Sequence, residues 1–234
     1  MTRLRAARDV TAADWIVAGI RGFGASVLSL VPAGFSSYVR VFHPAYRGRG
    51  DALSPVRWEE IAAANGTRVH AAMQLNPIAR YLKSLHEGQP GVYDDAPRVG
   101  TLPPEVAAPL AEVLARHTRC WFAVWNGFGG TRADIRSAST FHLPAREYHL
   151  LVGALEAVTE SAVNFPAVQS PNLWWPDDRA WCVATEIDLN TTYLGCTDAC
   201  RDEIVATPDL EAWAIDASAG IDWRSDPVNP FPDE

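Results

Sequence analysis

The chain has 234 residues, of which 48% are hydrophobic and 21% charged. That balance supports a packed core and excludes a disordered, solvating segment, while the length fits one large domain or two small ones. The net charge of −8 is polarised: residues 1–50 carry seven arginines against Asp9 and Asp14, whereas residues 175–234 carry fourteen acids against Arg179, Arg201 and Arg224.

Helical periodicity covers 14–20 and 35–42. The clearest helix spans 55–65. Ser54 caps it, Pro55 suits the first turn, Gly66 suits a left-handed stop, and Trp58, Ile61, Ala62 and Asn65 share one face. Residues 87–100, rich in Gly, Pro and Asp, form a loop and the best candidate for an inserted flap. A second helix covers 104–117 with Val106, Leu110, Val113 and Leu114 as its buried stripe; Pro109 removes one backbone donor inside it. The apolar run CWFAVW (120–125) reads as a buried strand ended by an Asn126-Gly127 turn. A strand at 148–152 precedes a short helix after Gly153. Residues 181–187 alternate and pair with 191–194 across an Asp-Leu-Asn turn as a β-hairpin. Thr197 or Asp198 caps a helix to Val205, stopped by Pro208, and 212–215 is a last strand. Helices first and strands later predict an α+β fold, with a mainly helical N-terminal half packed on a mostly antiparallel sheet from the C-terminal half. Residues 1–226 are expected to form one domain, and the Pro-rich tail 227–234 to be loosely ordered.

Nucleic acid requires a concentrated face of Lys and Arg. Lys83 is the only lysine and the arginines are scattered, so no nucleic-acid partner is expected. The mildly apolar stretch 22–35 follows Arg21, and Asp9 and Asp14 dilute the basic segment before it, unlike a leader peptide. No window reaches the roughly 18 uncharged apolar residues of a membrane span. A cytoplasmic location without membrane attachment is the expectation. Four cysteines are too few for a disulfide framework, and Cys196 and Cys200 lack the tight spacing and second pair of a zinc site. Free thiols, no metal and no cofactor are expected.

Signatures of dinucleotide, nucleotide-triphosphate, zinc-protease and serine-hydrolase chemistry are absent, and Gly22-Phe23-Gly24 and 127–130 lack phosphate-cradle spacing. Three constellations remain. Glu186 and Asp188, two apart on an extended strand, would project to one side roughly 7 Å apart, suited to holding a divalent cation, to dividing acid and base roles, or to a solvated strand face ending in an Asx turn. His43, followed by Arg47 and Arg49, could meet an anion or be a satisfied structural residue. Trp121 and Trp125 read as a core strand before a turn. Beside the carboxylates lies Trp174-Trp175-Pro176-Asp177-Asp178-Arg179. Adjacent side chains on a strand point in opposite directions. One of Trp174 and Trp175 is therefore predicted on the surface, edged by Asp177, Asp178 and Arg179 as a recognition face.

The segments LVPAGFSSYVRVFHP (30–44), VRWEEIA (56–62), CWFAVWNGFG (120–129) and NLWWPDDRAWCVATEID (172–188) resemble an uncharacterised bacterial family of conserved hypothetical proteins. The architecture is more loosely similar to immunity domains. The resemblance covers most of the chain and implies one intact domain, with no catalytic residue to transfer. The favoured expectation is a non-catalytic binding or interaction module, immunity-like in its sharpest form. It would present a Trp-lined acidic face to a partner with a basic surface or to a small ligand. The alternative is a small-molecule enzyme using Glu186 and Asp188, with His43, in a Trp-lined cleft.

Overall fold

The computed structural model describes residues 4–20, 22–48, 50–80, 87–115 and 119–232. In chain order the elements are β1 (Arg5–Ala6), α1 (Asp14–Gly19), β2 (Ser37–Phe42), β3 (Ala45–Arg47), β4 (Ser54–Val56), α2 (Trp58–Asn65), α3 (Leu75–Ala79), α4 (Pro104–Leu114) and β5 (Cys120–Trp125). Then follow α5 (Ala133–Arg136), β6 (Thr140–Leu143), β7 (Arg146–Gly153), β8 (Leu173–Pro176), β9 (Cys182–Ala184), β10 (Thr191–Cys196), α6 (Asp198–Val205) and β11 (Ala212–Ala214). Nine strands form one antiparallel sheet in the order β1-β7-β5-β8-β9-β10-β2-β11, with β6 sharing one edge of β7 with β1. The fold is α+β and mostly antiparallel.

The expected division into a helical first half and a β second half is not observed, because strands are interspersed throughout. The main discrepancy is residues 35–42, read as helical and found as β2, an inner strand between β10 and β11. All six residues of β2 are buried. A strand covered on both faces shows no polar alternation, and its Tyr-Val-Arg-Val-Phe sequence is rich in strand formers.

Both faces of the sheet are covered. On one face Val39, Phe122, Val124, Trp174 and Val183 pack under Val106, Leu110 and Leu114 of α4 and Ile204 of α6. On the other, Tyr38, Leu150, Trp175 and Tyr193 pack under Ile16 of α1 and the Val27–Ser29 turn that leads to Val31. A third cluster joins Phe42 to Trp58, Ile61, Met73 and Ile78 of the α2–α3 region. Of the predicted α4 stripe, Val113 is only partly buried, and the predicted end at His117 lies outside the described residues. No helix among the described residues is long and apolar enough to cross a membrane.

Helix α2 starts later than predicted, because Ser54 and Pro55 belong to β4. Its cap comes from far along the chain. The Glu211 carboxylate accepts from Trp58 N at 2.7 Å and Glu59 N at 2.8 Å, meeting two orphan donors at the positive end of the helix. Gly66 closes α2 in the predicted left-handed conformation, φ 63°. Thr197 caps α6, its hydroxyl accepting from Cys200 N.

The flap candidate 87–100 and the start of the tail are both bonded to the rest of the fold. In 87–100, Tyr93 is buried in the third cluster, Asp94 N and Asp95 N donate to Tyr46 O, and Gly100 N donates to Leu189 O. In the tail, buried Asn229 donates to Arg68 O and receives Arg68 N, while Asp226 takes Asn229 N and Val228 N. Asn229 thus joins the start of the tail to Arg68; residues 233–234 lie outside the described residues.

Candidate functional site

The tryptophan pair of β8 does alternate: Trp174 packs against Trp181 on one face, ring centroids 5.2 Å apart, and Trp175 against Trp15 on the other at 6.3 Å. Neither reaches the surface. Trp174 is 0% and Trp175 1% exposed, because helices cover both sides of the sheet. The predicted exposed plate at this position is overturned. Asp177, Asp178 and Arg179 lie after the strand. Asp177 accepts from Trp121 Nε1 at 2.5 Å and pairs with Arg119 at 3.7 Å. Asp178 accepts from Ala180 N, and Arg179 stands over the Trp15 ring. They tie this turn to its neighbours rather than rimming an open aromatic face.

His43 is fully buried and does not join the carboxylates. Its Nδ1 donates to Arg98 O at 2.8 Å, which accepts only, so Nε2 must accept from the Thr192 hydroxyl at 2.9 Å. Thr192 in turn lies 2.7 Å from the Thr185 hydroxyl. Burial pushes the His43 pKa down to about 4, against the pull of the Arg98 carbonyl. This neutral ring is a structural link between β2, β10 and the β9–β10 connection. Arg47 spends its guanidinium on Val92 O, and Arg49 lies outside the described residues.

Glu186 and Asp188 do come together, though on the connection 185–190 rather than on a strand. Arg146, the first residue of β7, bridges them: Nε donates to Glu186 Oε1 at 3.0 Å and Nη2 to Asp188 Oδ2 at 2.8 Å. Asp188 N donates to Glu186 Oε2 at 2.6 Å. The guanidinium lies 4.6 Å from the Phe23 ring centroid and 5.7 Å from that of Trp125. Asn172, nearly fully buried, fixes the base of this arrangement by accepting from Trp125 N and donating to Thr185 O.

Beside this triad lies a cleft of about 210 Å³. Its charged lining is acidic, from Glu186, Asp188 and Asp222, and its rings are Phe23 and Trp223, which are 48% and 47% exposed. Leu75, Leu189 and Ile221 supply apolar wall. Trp223 is braced by Phe231 at 4.9 Å and by Arg224 over its ring. Gln74 completes one side and connects the cleft to the interior: its Oε1 accepts from Arg40, and its Nε2 donates to Ser225 Oγ.

Arg40 is nearly fully buried and also donates to Met73 O at 2.7 Å and Ala71 O at 3.2 Å, with Phe42, Trp58 and Tyr193 rings around it. Burial lowers its pKa from the ordinary value, opposed by Tyr193 and Asp226. Asp226 accepts from His70 Nε2 at 2.9 Å and from Gln74 N at 3.1 Å. Burial works to raise the Asp226 pKa, but the backbone donors of Asn229 and Val228 outweigh it and the net shift is downward. Asp226 thereby clamps the segment that carries Asp222 and Trp223 against the α3 region.

Sequence reasoning singled out Glu186 and Asp188 but missed Arg146, Phe23, Asp222 and Trp223. Two signals existed. Phe23 lies between two glycines, a setting that leaves a ring little to pack against locally. Asp222 precedes Trp223-Arg224-Ser225 in an Asx-turn pattern, with Asp222 Oδ1 accepting from Arg224 N. Among the described residues, no group of three or more His, Cys, Asp or Glu gathers as a metal site. Comparison with protein-family models, with curated proteins and with solved structures finds no match to this chain.

Proposed function

We propose that this protein is a non-catalytic binding module whose recognition site is the acidic cleft. The group it accepts is an organic cation, an alkylammonium or guanidinium, either free or at the end of a basic side chain on a partner. The observation that carries this reading is the cleft lining: three carboxylates, two half-exposed rings and, among the described residues, no Lys or Arg. Arg146 sets one positive charge against Glu186 and Asp188, so the site stays negative, and Asp222 adds to it. Charge-assisted hydrogen bonds would hold the cationic head. Arg224 already stands over the Trp223 ring, so that ring would add apolar contact beside the wall that takes the stem. The acidic, tryptophan-edged face of the sequence reading is kept, with Trp223 in the place of the β8 pair.

The enzymatic alternative draws less support from the same geometry. Glu186 already accepts from Arg146 and from Asp188 N, Asp188 shares that guanidinium, and both nitrogens of His43 are engaged elsewhere. Calorimetric titration with butylammonium, ethylguanidinium and butanoate tests the proposal. Both cations should bind and the carboxylate should not, with affinity falling as salt is raised. Asp188→Asn and Asp222→Asn should each weaken cation binding about tenfold, near 1.4 kcal/mol. A short peptide ending in arginine separates the two sources: tighter binding than ethylguanidinium points to a protein partner, equal binding to a free small molecule. Equal binding of butanoate, or indifference to both substitutions, contradicts the proposal.

A further inference from the structure

A second cavity, of about 490 Å³, lies where β1, β7 and β5 run side by side. Strand register sets its lining. Arg5 of β1 stands opposite Val152 of β7, and Val152 stands opposite Trp121 of β5. Directly opposed residues project from one face of an antiparallel pair, so Arg5, Val152 and Trp121 form a row. Ala7, two residues after Arg5 and on the same face, is buried in the cluster that holds Ile16 and Trp175. Arg5 itself is exposed. The cover over this face therefore stops between Ala7 and Arg5, and the row beyond it borders solvent.

Two further arginines, Arg8 and Arg119, line the same cavity. The Arg119 guanidinium lies 4.8 Å from the Trp121 ring centroid, and a guanidinium stacked on a ring keeps its in-plane N–H groups for acceptors. Its ion pair with Asp177 is long, at 3.7 Å, and that carboxylate already accepts from Trp121 Nε1 at 2.5 Å. Among the described residues, the guanidinium groups of Arg5 and Arg8 make no hydrogen bond or ion pair. The one carboxylate in the lining, Asp9, accepts from Thr11 N at 3.0 Å and from the Thr11 hydroxyl at 2.6 Å. Three cations thus surround one cavity against a single acid whose acceptors are in use, in a chain whose net charge is −8. Like charges gathered in this way repel, and an anion seated among them relieves the repulsion.

We propose that this pocket binds a phosphate monoester, with Arg5, Arg8 and Arg119 around the phosphate and Val152 and the Trp121 edge against its organic body. Three guanidinium groups match the charge and the three free oxygens of a phosphate monoester better than the single charge of a carboxylate. Inorganic phosphate would leave the apolar side of the lining uncovered.

Phenyl phosphate, inorganic phosphate and benzoate are each titrated into the wild-type protein by calorimetry at low salt. The Trp121 indole N–H is followed in nitrogen-15 spectra and assigned by its absence in Trp121→Phe. Phenyl phosphate should bind saturably, at least about tenfold tighter than either other anion, weaken as salt is raised, and shift the Trp121 indole. Arg5→Gln and Arg8→Gln should each weaken its binding about tenfold. Both side chains lie outside the core, so both variants should keep the wild-type circular dichroism. Inorganic phosphate or benzoate binding as tightly as phenyl phosphate, indifference to both substitutions, or no saturable binding overturns the proposal. Butylammonium at constant ionic strength should not compete with phenyl phosphate, so the outcome is independent of what the acidic cleft binds.

Discussion

The surroundings of two arginines distinguish a closed region of this molecule from an open one. Arg40 is 1% exposed, meets carbonyl and amide oxygens instead of a carboxylate, and has Phe42, Trp58 and Tyr193 around it. Arg146 keeps 16% of its side chain exposed, pairs with two carboxylates, and has Phe23 and Trp125 beside it. The groups around Arg40 are spent on holding β2 to the α3 region. Those around Arg146 end in carboxylate oxygens and rings that face a cleft. Cation, ring and acceptor are common to both regions; what separates structure from recognition is which of them borders solvent.

The comparison breaks most readily at the floor. Trp174→Ala and Trp175→Ala should each cost about 3–5 kcal/mol in urea denaturation, because each empties a fully covered site; a loss under about 1 kcal/mol for either would restore it to the surface. Arg40→Ala should cost about 3 kcal/mol or more, since Gln74 Oε1 and Met73 O lose a charged donor in a buried setting.

The pH dependence sharpens the same contrast. The folded pKa of His43 is depressed from 6.5 to about 4, so its neutral ring contributes stability that is present above pH 6.5 and lost as pH falls through about 4. The difference in unfolding free energy between wild type and His43→Gln should shrink by about 3 kcal/mol between pH 7 and pH 4. A constant difference would show that the buried ring takes its proton without penalty. At the rim, Asp188→Asn should change stability by less than about 1 kcal/mol, because its side chain is mostly exposed and its ion pair is screened. A larger loss would make the Arg146 triad part of the fold's support.

These regions were unequally legible in the sequence. Segments with strong local signals read correctly: the CWFAVW strand, the Thr197-capped α6, the Gly66 stop and the pairing of β9 with β10. Residues 37–42 misled because a strand buried on both faces loses the two-residue alternation that marks it. The same covering of both faces hid Trp174 and Trp175, whose opposite directions were inferred correctly but whose exposure was not. Glu186 and Asp188 were visible as a close pair. Their partner Arg146 lies forty residues away from Glu186, and Phe23 and Trp223 arrive from opposite ends of the chain. The glycines around Phe23 and the Asx turn at Asp222 mark those residues locally, but their meeting with Arg146 depends on sheet order and the Asp226 clamp.

The central claim is that the open region, and not the tryptophan-rich floor, meets a ligand. The nine tryptophans each give one indole N–H resonance, and titrating ethylguanidinium into nitrogen-15-labelled protein reads all of them at once. The account predicts a saturable shift of the Trp223 indole, assigned by its absence in Trp223→Phe, while Trp174 and Trp175 stay in place. Saturable shifts at Trp174 or Trp175 without one at Trp223, or no saturable shift at any indole, would contradict it.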